Sequence, residues 1–133
     1  MRWLTCDYPG AAQDLEQALA IYCDLGHQGA EAEALNETGT LHRLRGDPAT
    51  AQAYHQQALD LARAIDSAWD EAHALAGLGR CAIAAADLTT ARASLAQAAA
   101  IFQQIGAPEA TAVTAELTAL ATADPASQKP RTR

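Results

Sequence analysis

The sequence predicts an all-α protein, an α-solenoid of antiparallel helix pairs with about six helices. Three observations support this fold class: alanine makes up roughly a quarter of the 133 residues, the sequence repeats at a fixed offset, and turn signals recur between apolar segments. Alanine favours helices because it loses no side-chain entropy in them, and its small methyl group lets two helix backbones approach closely. Strand-forming residues are scarce, since Val113 is the sole valine and Phe occurs once.

The sequence repeats itself with a period of about 40 residues. The offset that carries Asp7 onto Asp47 aligns three sets of identical residues and one pair: Asp7, Asp47 and Asp87; Ala11, Ala51 and Ala91; Gln17, Gln57 and Gln97; Gly39 and Gly79. Within each unit the apolar residues follow helical spacing. A period between roughly 20 and roughly 50 residues is typical of a solenoid, in which each unit buries its apolar face only against its neighbours.

Turn signals set the helix boundaries. Asp47-Pro48 places a capping acceptor before a helix, with proline where its missing N–H costs nothing, and Asp7 and Asp87 repeat the cap. Ser67 and Asp70 resemble a capping box. Glycine marks helix ends at Gly26, Gly46 and Gly106. The sequence therefore predicts helices at residues 8–25, 28–45, 48–65, 68–85, 88–105 and 108–122, and the short connections make successive helices antiparallel neighbours.

The charge and composition of the chain limit the kinds of partner that we expect. The net charge of −7 and the pI near 4.8 argue against nucleic acid or an anionic membrane as the main partner of this segment. The three cysteines are widely spaced without a Cys-x-x-Cys pair, which indicates neither a disulfide framework nor a thiolate metal site. No stretch has the composition of a signal peptide or a membrane span, so we expect a cytoplasmic protein. Lys129, Arg131 and Arg133 could form a small basic anchor, but a solvated tail is favoured.

A family resemblance rests on residues 35–39 (Leu-Asn-Glu-Thr-Gly), 46–48 (Gly-Asp-Pro), Ala51 and 57–59 (Gln-Ala-Leu), which together resemble a tetratricopeptide repeat. The intervals fit as well, because the spacing from Gly39 to Ala51 recurs from Gly79 to Ala91. The resemblance implies a right-handed solenoid whose first helices, called helix A, line a concave surface that holds an extended peptide or a partner helix.

The period is longer than the usual one of that family, which is about 34 residues. It resembles the long-helix variety found in kinesin light chains and in the regulatory regions of bacterial signalling ATPases and transcriptional activators. Residues 41–47 (Leu-His-Arg-Leu-Arg-Gly-Asp) and 55–63 are most similar to the repeats of large actinobacterial regulators of secondary metabolism.

The positions of helix A and helix B that the resemblance assigns along the chain predict a domain organisation. In chain order we expect the remnant of a truncated helix A at 1–6, helix B of a partial repeat at 7–25, full repeats at 26–65 and 66–105, a terminal helix A or capping helix at 106–123, and a disordered tail at 124–133. Such an arrangement exposes apolar surface on the first helix, including some of Leu15, Leu19 and Tyr22. We therefore expect a fragment of a larger protein, or a unit that associates through its ends.

The candidate partner-binding residues form a polar stripe on each helix A. If Ala32, Leu35, Gly39 and His42 are the buried phase of one helix, its stripe consists of Glu33, Asn36, Thr40 and Arg43. The corresponding positions of the next helix A are His73, Ala76, Arg80 and Ile83. These residues could hydrogen-bond a peptide backbone, or they could form only a solvated helix face. The carboxylate-binding set of the chaperone-adaptor members of the family is not reproduced.

No catalytic, cofactor or metal site is expected. His42 and His55 fall on the aromatic packing positions of the family, which favours a structural pair over metal ligation, and no His-x-x-x-His completes a metal set. The sequence offers neither a Ser-His-Asp arrangement on a strained turn nor a glycine cluster for phosphate. Exposed tryptophans can be binding hot spots, but for Trp69 packing at the start of a helix is favoured.

The sequence therefore predicts a scaffold for a protein or peptide, not an enzyme, and a regulatory fragment of a larger bacterial regulator. The alternative is a self-association module, a homo-oligomer formed through unpaired terminal helices.

Overall fold

The computed structural model describes the backbone of residues 8–123 and the side chains of residues 13–122. The helices are α1 (Tyr8–Leu25), α2 (Gln28–Leu44), α3 (Pro48–Ala64), α4 (Ala68–Ala84), α5 (Leu88–Gln104) and α6 (Glu109–Ala123). Residues 8–123 contain no strand. The predicted all-α class and the six helices are confirmed. The segments 1–6 and 124–133, together with Asp7, lie outside the described residues, and the division into repeats stays a prediction.

Each helix packs against the next helix along the chain, and α2 also contacts α4. Because Gln28, where α2 begins, and Ala68, where α4 begins, are one period of the repeat apart, this second contact joins equivalent helices of neighbouring units. Neighbour-only packing of this kind defines a solenoid. The predicted helical solenoid is thereby confirmed.

Side-chain caps begin three of the helices. The N–H of Thr50 donates to Asp47 Oδ1 at 3.2 Å, and Thr90 donates to Asp87 at the same distance. Ser67 Oγ accepts from the Asp70 N–H at 3.3 Å and donates to Asp70 Oδ2 at 2.8 Å. These bonds confirm the caps expected at the three positions.

The helices end at a residue in the left-handed conformation, and such residues recur at equal intervals along the chain. Gly26, Gly46 and Gly106 have φ of 71°, 87° and 71°. The same place is taken by Asp66 with φ 55° and by Ala86 with φ 62°. The three glycines were expected as helix ends. The sequence did not indicate the helix ends at Asp66 and Ala86, because neither residue is a glycine. An alanine in the left-handed conformation costs roughly 1–2 kcal/mol of free energy.

Alanine forms the contact surfaces between helices. Ala51, Ala58, Ala91 and Ala98 are fully buried, and they are two pairs of positions related by the repeat. The large side chains Leu59, Leu75, Leu95 and Phe102 fill the space around them. The alanines repeat because only a small side chain lets two helix axes come this close.

The first helix buries more than the sequence indicated. Of the three residues from which the exposed apolar surface of α1 was expected to draw, Leu15 is not exposed: its exposed fraction is 2%, because its face of α1 packs against α2. Leu19 and Tyr22 are half-buried. The exposed apolar residues of α1 are Ile21 (54%) and Leu25 (63%).

Within residues 8–123, no helix combines the length and the apolar character that crossing a lipid bilayer requires.

Candidate binding groove

The helices α2 and α4 form the walls of a groove of about 460 Å³, and α3 contributes its floor. Five of the eight stripe residues line it: Glu33, Asn36 and Thr40 on α2, and His73 and Arg80 on α4. The groove is further lined by Glu37, Leu41, Leu44, His55, Trp69, Asp70 and Gly77. The structure thus brings the two predicted stripes together on one surface.

The other three stripe residues lie away from this lining. Arg43 is half-buried, and its Nε is enclosed without a hydrogen-bond partner from the residues that the structure describes. Ala76 is 1% exposed and belongs to the apolar core. Ile83 is 37% exposed near the end of α4. The groove therefore occupies the N-terminal and central turns of α4 rather than its whole length.

A buried polar network forms the groove floor. His55, on α3, is 1% exposed, and its Nδ1 lies 2.8 Å from Asn36 Oδ1. The Asn36 amide donates in turn to the backbone carbonyl of Asp70 at 3.4 Å, which links α3 through α2 to α4. Because an amide oxygen only accepts, Nδ1 of His55 carries the ring proton. The opposite amide orientation would set two carbonyl oxygens against each other.

The remaining ring nitrogen of His55, Nε2, is therefore an acceptor, and it is enclosed without a hydrogen-bond partner among the described residues. Burial lowers the pKa of His55 to about 4, with further lowering by the charges of Arg43 and Arg80. The imidazole is thus neutral at physiological pH.

Two glycines make room for this imidazole. A Cβ on Gly39 of α2 or on Gly77 of α4 would lie 2.6 Å from His55 Nε2 in either case. Such a separation is too short for any carbon atom, so both wall helices need glycine at the point where the ring enters. The sequence singled out Gly39 but not Gly77.

An aromatic cluster forms the wall contributed by α4. Trp69 is 45% exposed, and its ring centroid lies 4.6 Å from that of His73 and 6.1 Å from that of Phe102. His73 also packs edge-on against Phe102 at 5.0 Å. Burial lowers the pKa of His73, although Glu109 Oε2 lies 3.5 Å from its Nε2. Trp69 therefore has the packing role expected from the sequence, and it also presents a large exposed aromatic surface to the groove.

Two carboxylates one helical turn apart stand on the α2 wall. Glu33 is exposed and Glu37 half-buried, and both also line a second hollow of about 230 Å³ between α1 and α2. Burial raises the pKa of Glu37, and the charge of Glu33 raises it further. Sequence analysis missed Glu37, although its place one helical turn after Glu33 puts it on the same helix face.

The arginine of the groove already has a carboxylate partner. Arg80 donates to Glu116 of α6 through Nη2 at 2.7 Å and Nε at 3.0 Å. These hydrogen bonds raise the pKa of Arg80. Since the pair is half-buried and bidentate, its charge is largely balanced within the protein.

The remaining histidine and cysteine contacts are structural. His42 stacks on Tyr54 with ring centroids 5.3 Å apart and an angle of 5°, so His42 and His55 each pack, but with different partners. Cys81 is buried, and burial raises the pKa of its thiol. No group of three or more potential metal-ligating side chains is found in the part of the chain that the structure describes.

Fold and groove together define a class: a solenoid of helix pairs with a polar, aromatic-walled groove between equivalent helices. No protein-family model matches the chain. It is similar to the Regulatory protein AfsR of Streptomyces griseus, with 30% identity over 99 residues. The match covers 74% of this chain and 10% of that protein, so the chain spans about a tenth of the length of the curated relative it matches. The chain is thus related to a bacterial regulatory protein.

Proposed function

We propose that this chain is a tetratricopeptide-like interaction segment of a larger bacterial regulator, and that it binds an extended segment of a partner protein in the groove between α2 and α4. The observation that carries the proposal is the convergence of five stripe residues and the exposed Trp69 on one groove of about 460 Å³. Similarity to a tenth of a regulatory protein supports the wider role.

The groove has the properties of a recognition site rather than of an ordinary solvated helix face. Its volume is within the usual range for ligand sites, roughly 300–1,000 Å³. Its wall has a tryptophan that is rigidly packed on one side and exposed on the other, the type of residue that dominates binding energies. His73 adds a hydrogen-bonding group beside it, and half-buried Thr40 adds another elsewhere in the lining.

The proposed role is binding without catalysis. Among the described titratable groups of the groove, His55 belongs to the buried network, Arg80 to an ion pair, and Asp70, which accepts from the Ser67 hydroxyl, to a helix cap. These contacts are structural. We propose a cytoplasmic segment whose partner is a protein or peptide, with no cofactor or metal. A nucleic acid or an anionic membrane would be repelled by the net charge of −7.

Selection of binding peptides from a random displayed library, with this chain as bait, tests the proposal. We expect selected peptides to lose about tenfold or more in affinity for Trp69→Ala and for Thr40→Arg, which remove the aromatic wall and obstruct the groove. The matched control is Gln57→Ala, an exposed residue of α3 outside the groove lining, which should leave affinity unchanged. Circular dichroism verifies that each variant folds. Equal affinity for all of these variants would exclude the groove.

A second candidate function, self-association, is favoured by one observation: Ile21 and Leu25 are exposed one helical turn apart on α1. If they form a homo-oligomeric contact, light scattering will show an apparent mass that rises with protein concentration. The double variant Ile21→Lys with Leu25→Lys should abolish this rise. A well-folded monomer at all concentrations would exclude it.

A further inference from the structure

The charges that line the groove are unequal. Three carboxylates, Glu33, Glu37 and Asp70, face one cation, Arg80, which is paired with Glu116. The Asp70 carboxylate accepts from the Ser67 hydroxyl. Neither Glu33 nor Glu37 forms an ion pair with a cation in the portion of the chain that the structure describes. The unbalanced charge of the groove is therefore negative and is concentrated on the α2 wall.

The floor of the groove contains a hydrogen-bond acceptor without a donor. His55 is one of the lining residues, and its Nε2, which is enclosed next to Gly39 and Gly77, has a lone pair without a donor within the described residues. The carboxylates of Glu33 and Glu37 are also acceptors. A ligand that satisfies these groups must bring hydrogen-bond donors, and an ammonium or guanidinium group brings three or five of them with a positive charge.

The apolar part of the groove suits the stem of such a side chain. Trp69, in the first turn of α4, is 45% exposed, whereas the exposed Leu44 lies at the far end of α2. Lysine and arginine cover apolar surface with their methylene groups while the charged head is solvated or paired. The face of a tryptophan also attracts a cation, which strengthens the preference for a basic side chain.

Resting on the proposed function, we infer that the partner segment carries a basic residue, lysine or arginine, whose head is bound by Glu33 and Glu37 and whose stem packs against Trp69. An acidic segment is disfavoured because its carboxylate would meet those of the two glutamates. Arg43 and Arg80, which lie close enough to lower the pKa of His55, do not offset this preference. Arg80 is paired, and Arg43 is not part of the lining.

The test uses blocked heptapeptides of alanine and leucine whose central residue is arginine, lysine, glutamate or alanine. Titration of the whole chain, followed by NMR amide shifts, should give shifts clustered on α2 and α4 for the arginine and lysine peptides. The glutamate peptide should bind about tenfold more weakly than the arginine peptide, as expected for a charge-assisted pair. Equal or tighter binding of the glutamate peptide would overturn the inference.

Charge variants sharpen the result. Glu33→Gln with Glu37→Gln should weaken the arginine peptide about tenfold and leave the alanine peptide unchanged. Glu33→Lys with Glu37→Lys should reverse the preference towards glutamate. The matched control, Glu16→Gln with Asp60→Asn, removes the same charge from exposed positions outside the groove and should preserve binding. Loss of affinity in the control alone would show that net charge, not the groove, attracts the peptide, and would overturn the inference.

The outcomes separate this inference from the proposed function. If library-selected peptides lack basic residues but still lose affinity on Trp69→Ala, the basic occupant is wrong and the groove stands. If Trp69→Ala changes the affinity of no peptide, selected or designed, both proposals fail.

Discussion

The two helix pairs α2–α3 and α4–α5 solve the same packing problem with different chemistry. At positions related by the repeat, the first pair has Asn36 and His55 where the second has Ala76 and Leu95. Leu95 is fully buried and packs on Gly79, where an added Cβ would lie 2.7 Å from its Cγ. His55 packs on the equivalent Gly39 in the same way.

The polar network of His55 and Asn36 is not needed to fold the repeat, because a leucine, Leu95, fills the same space in the second pair. Burying an imidazole with one unpaired nitrogen costs free energy that burying leucine does not. The polar residues His55 and Asn36 lie at the floor of the groove, and their apolar counterparts Leu95 and Ala76 lie in the helix pair against which α6 packs. This placement is what a binding role for the groove would require.

The largest expected effect that separates the pairs is the pH dependence of stability. The unfolded chain protonates His55 near its ordinary pKa of 6.5, whereas the folded chain resists until about 4. The contribution of His55 is therefore fully present above pH 6.5 and is lost as pH falls towards 4, by roughly 3 kcal/mol. Urea unfolding at several pH values across this window measures it.

The variant His55→Leu with Asn36→Ala, which copies the second pair, should remove this part of the pH dependence while keeping the fold. The control Leu95→Ala should lower stability at every pH without changing the slope. An unchanged slope in the double variant would show that another group causes the pH dependence.

The next effect comes from the glycines that receive the two side chains. We expect Gly39→Ala to cost about 2 kcal/mol and Gly79→Ala about 1 kcal/mol. The imidazole is held by Asn36 and enclosed by Gly77 on its other side, whereas Leu95 can shift within its rotamers. Thermal or urea unfolding measures both values. The variant His55→Ala should make Gly39→Ala nearly harmless, and additive costs would contradict the contact.

The smallest effect concerns the turns within the pairs. Gly46 and Ala86 occupy equivalent positions with φ of 87° and 62°. Because only glycine adopts this region without strain, Ala86→Gly should stabilise the protein by about 1 kcal/mol, while Gly46→Ala should destabilise it by a similar amount. Chemical denaturation measures both, and destabilisation by Ala86→Gly would contradict the assignment.

Features that recur between the pairs could be predicted from the sequence. The ends of the six helices agree closely with expectation because caps such as Asp47 and Asp87 repeat at the same offset. The burial of Ala51 and Ala91 follows from the same repetition. The sequence left open which of Leu15, Leu19 and Tyr22 is exposed, because periodicity indicates a helix face but does not reveal how much of that face the next helix covers.

Features that differ between the pairs could not be predicted in this way. Gly77 aligns with Glu37, so the repeat offered no reason to expect a close approach there. The floor of the groove depends on a side chain from α3 reaching between α2 and α4, a contact that local spacing does not specify. The pairing of Arg80 with Glu116 likewise joins residues that are distant in sequence, which left the charge of the predicted stripe undetermined.

The left-handed residues at Gly26, Gly46, Asp66, Ala86 and Gly106 are evenly spaced, so the segments between them, each a helix with its turn, have equal lengths. Genetic recombination between any two alternate turns would therefore remove or add one complete helix pair. The buried and exposed faces of the flanking helices would keep their positions. Excision of residues 27–66, for example, would place Ser67 directly after Gly26, so that one intact turn is rebuilt from two. An array of this kind can change its number of helix pairs by unequal crossing-over, while the geometry of each remaining junction is preserved.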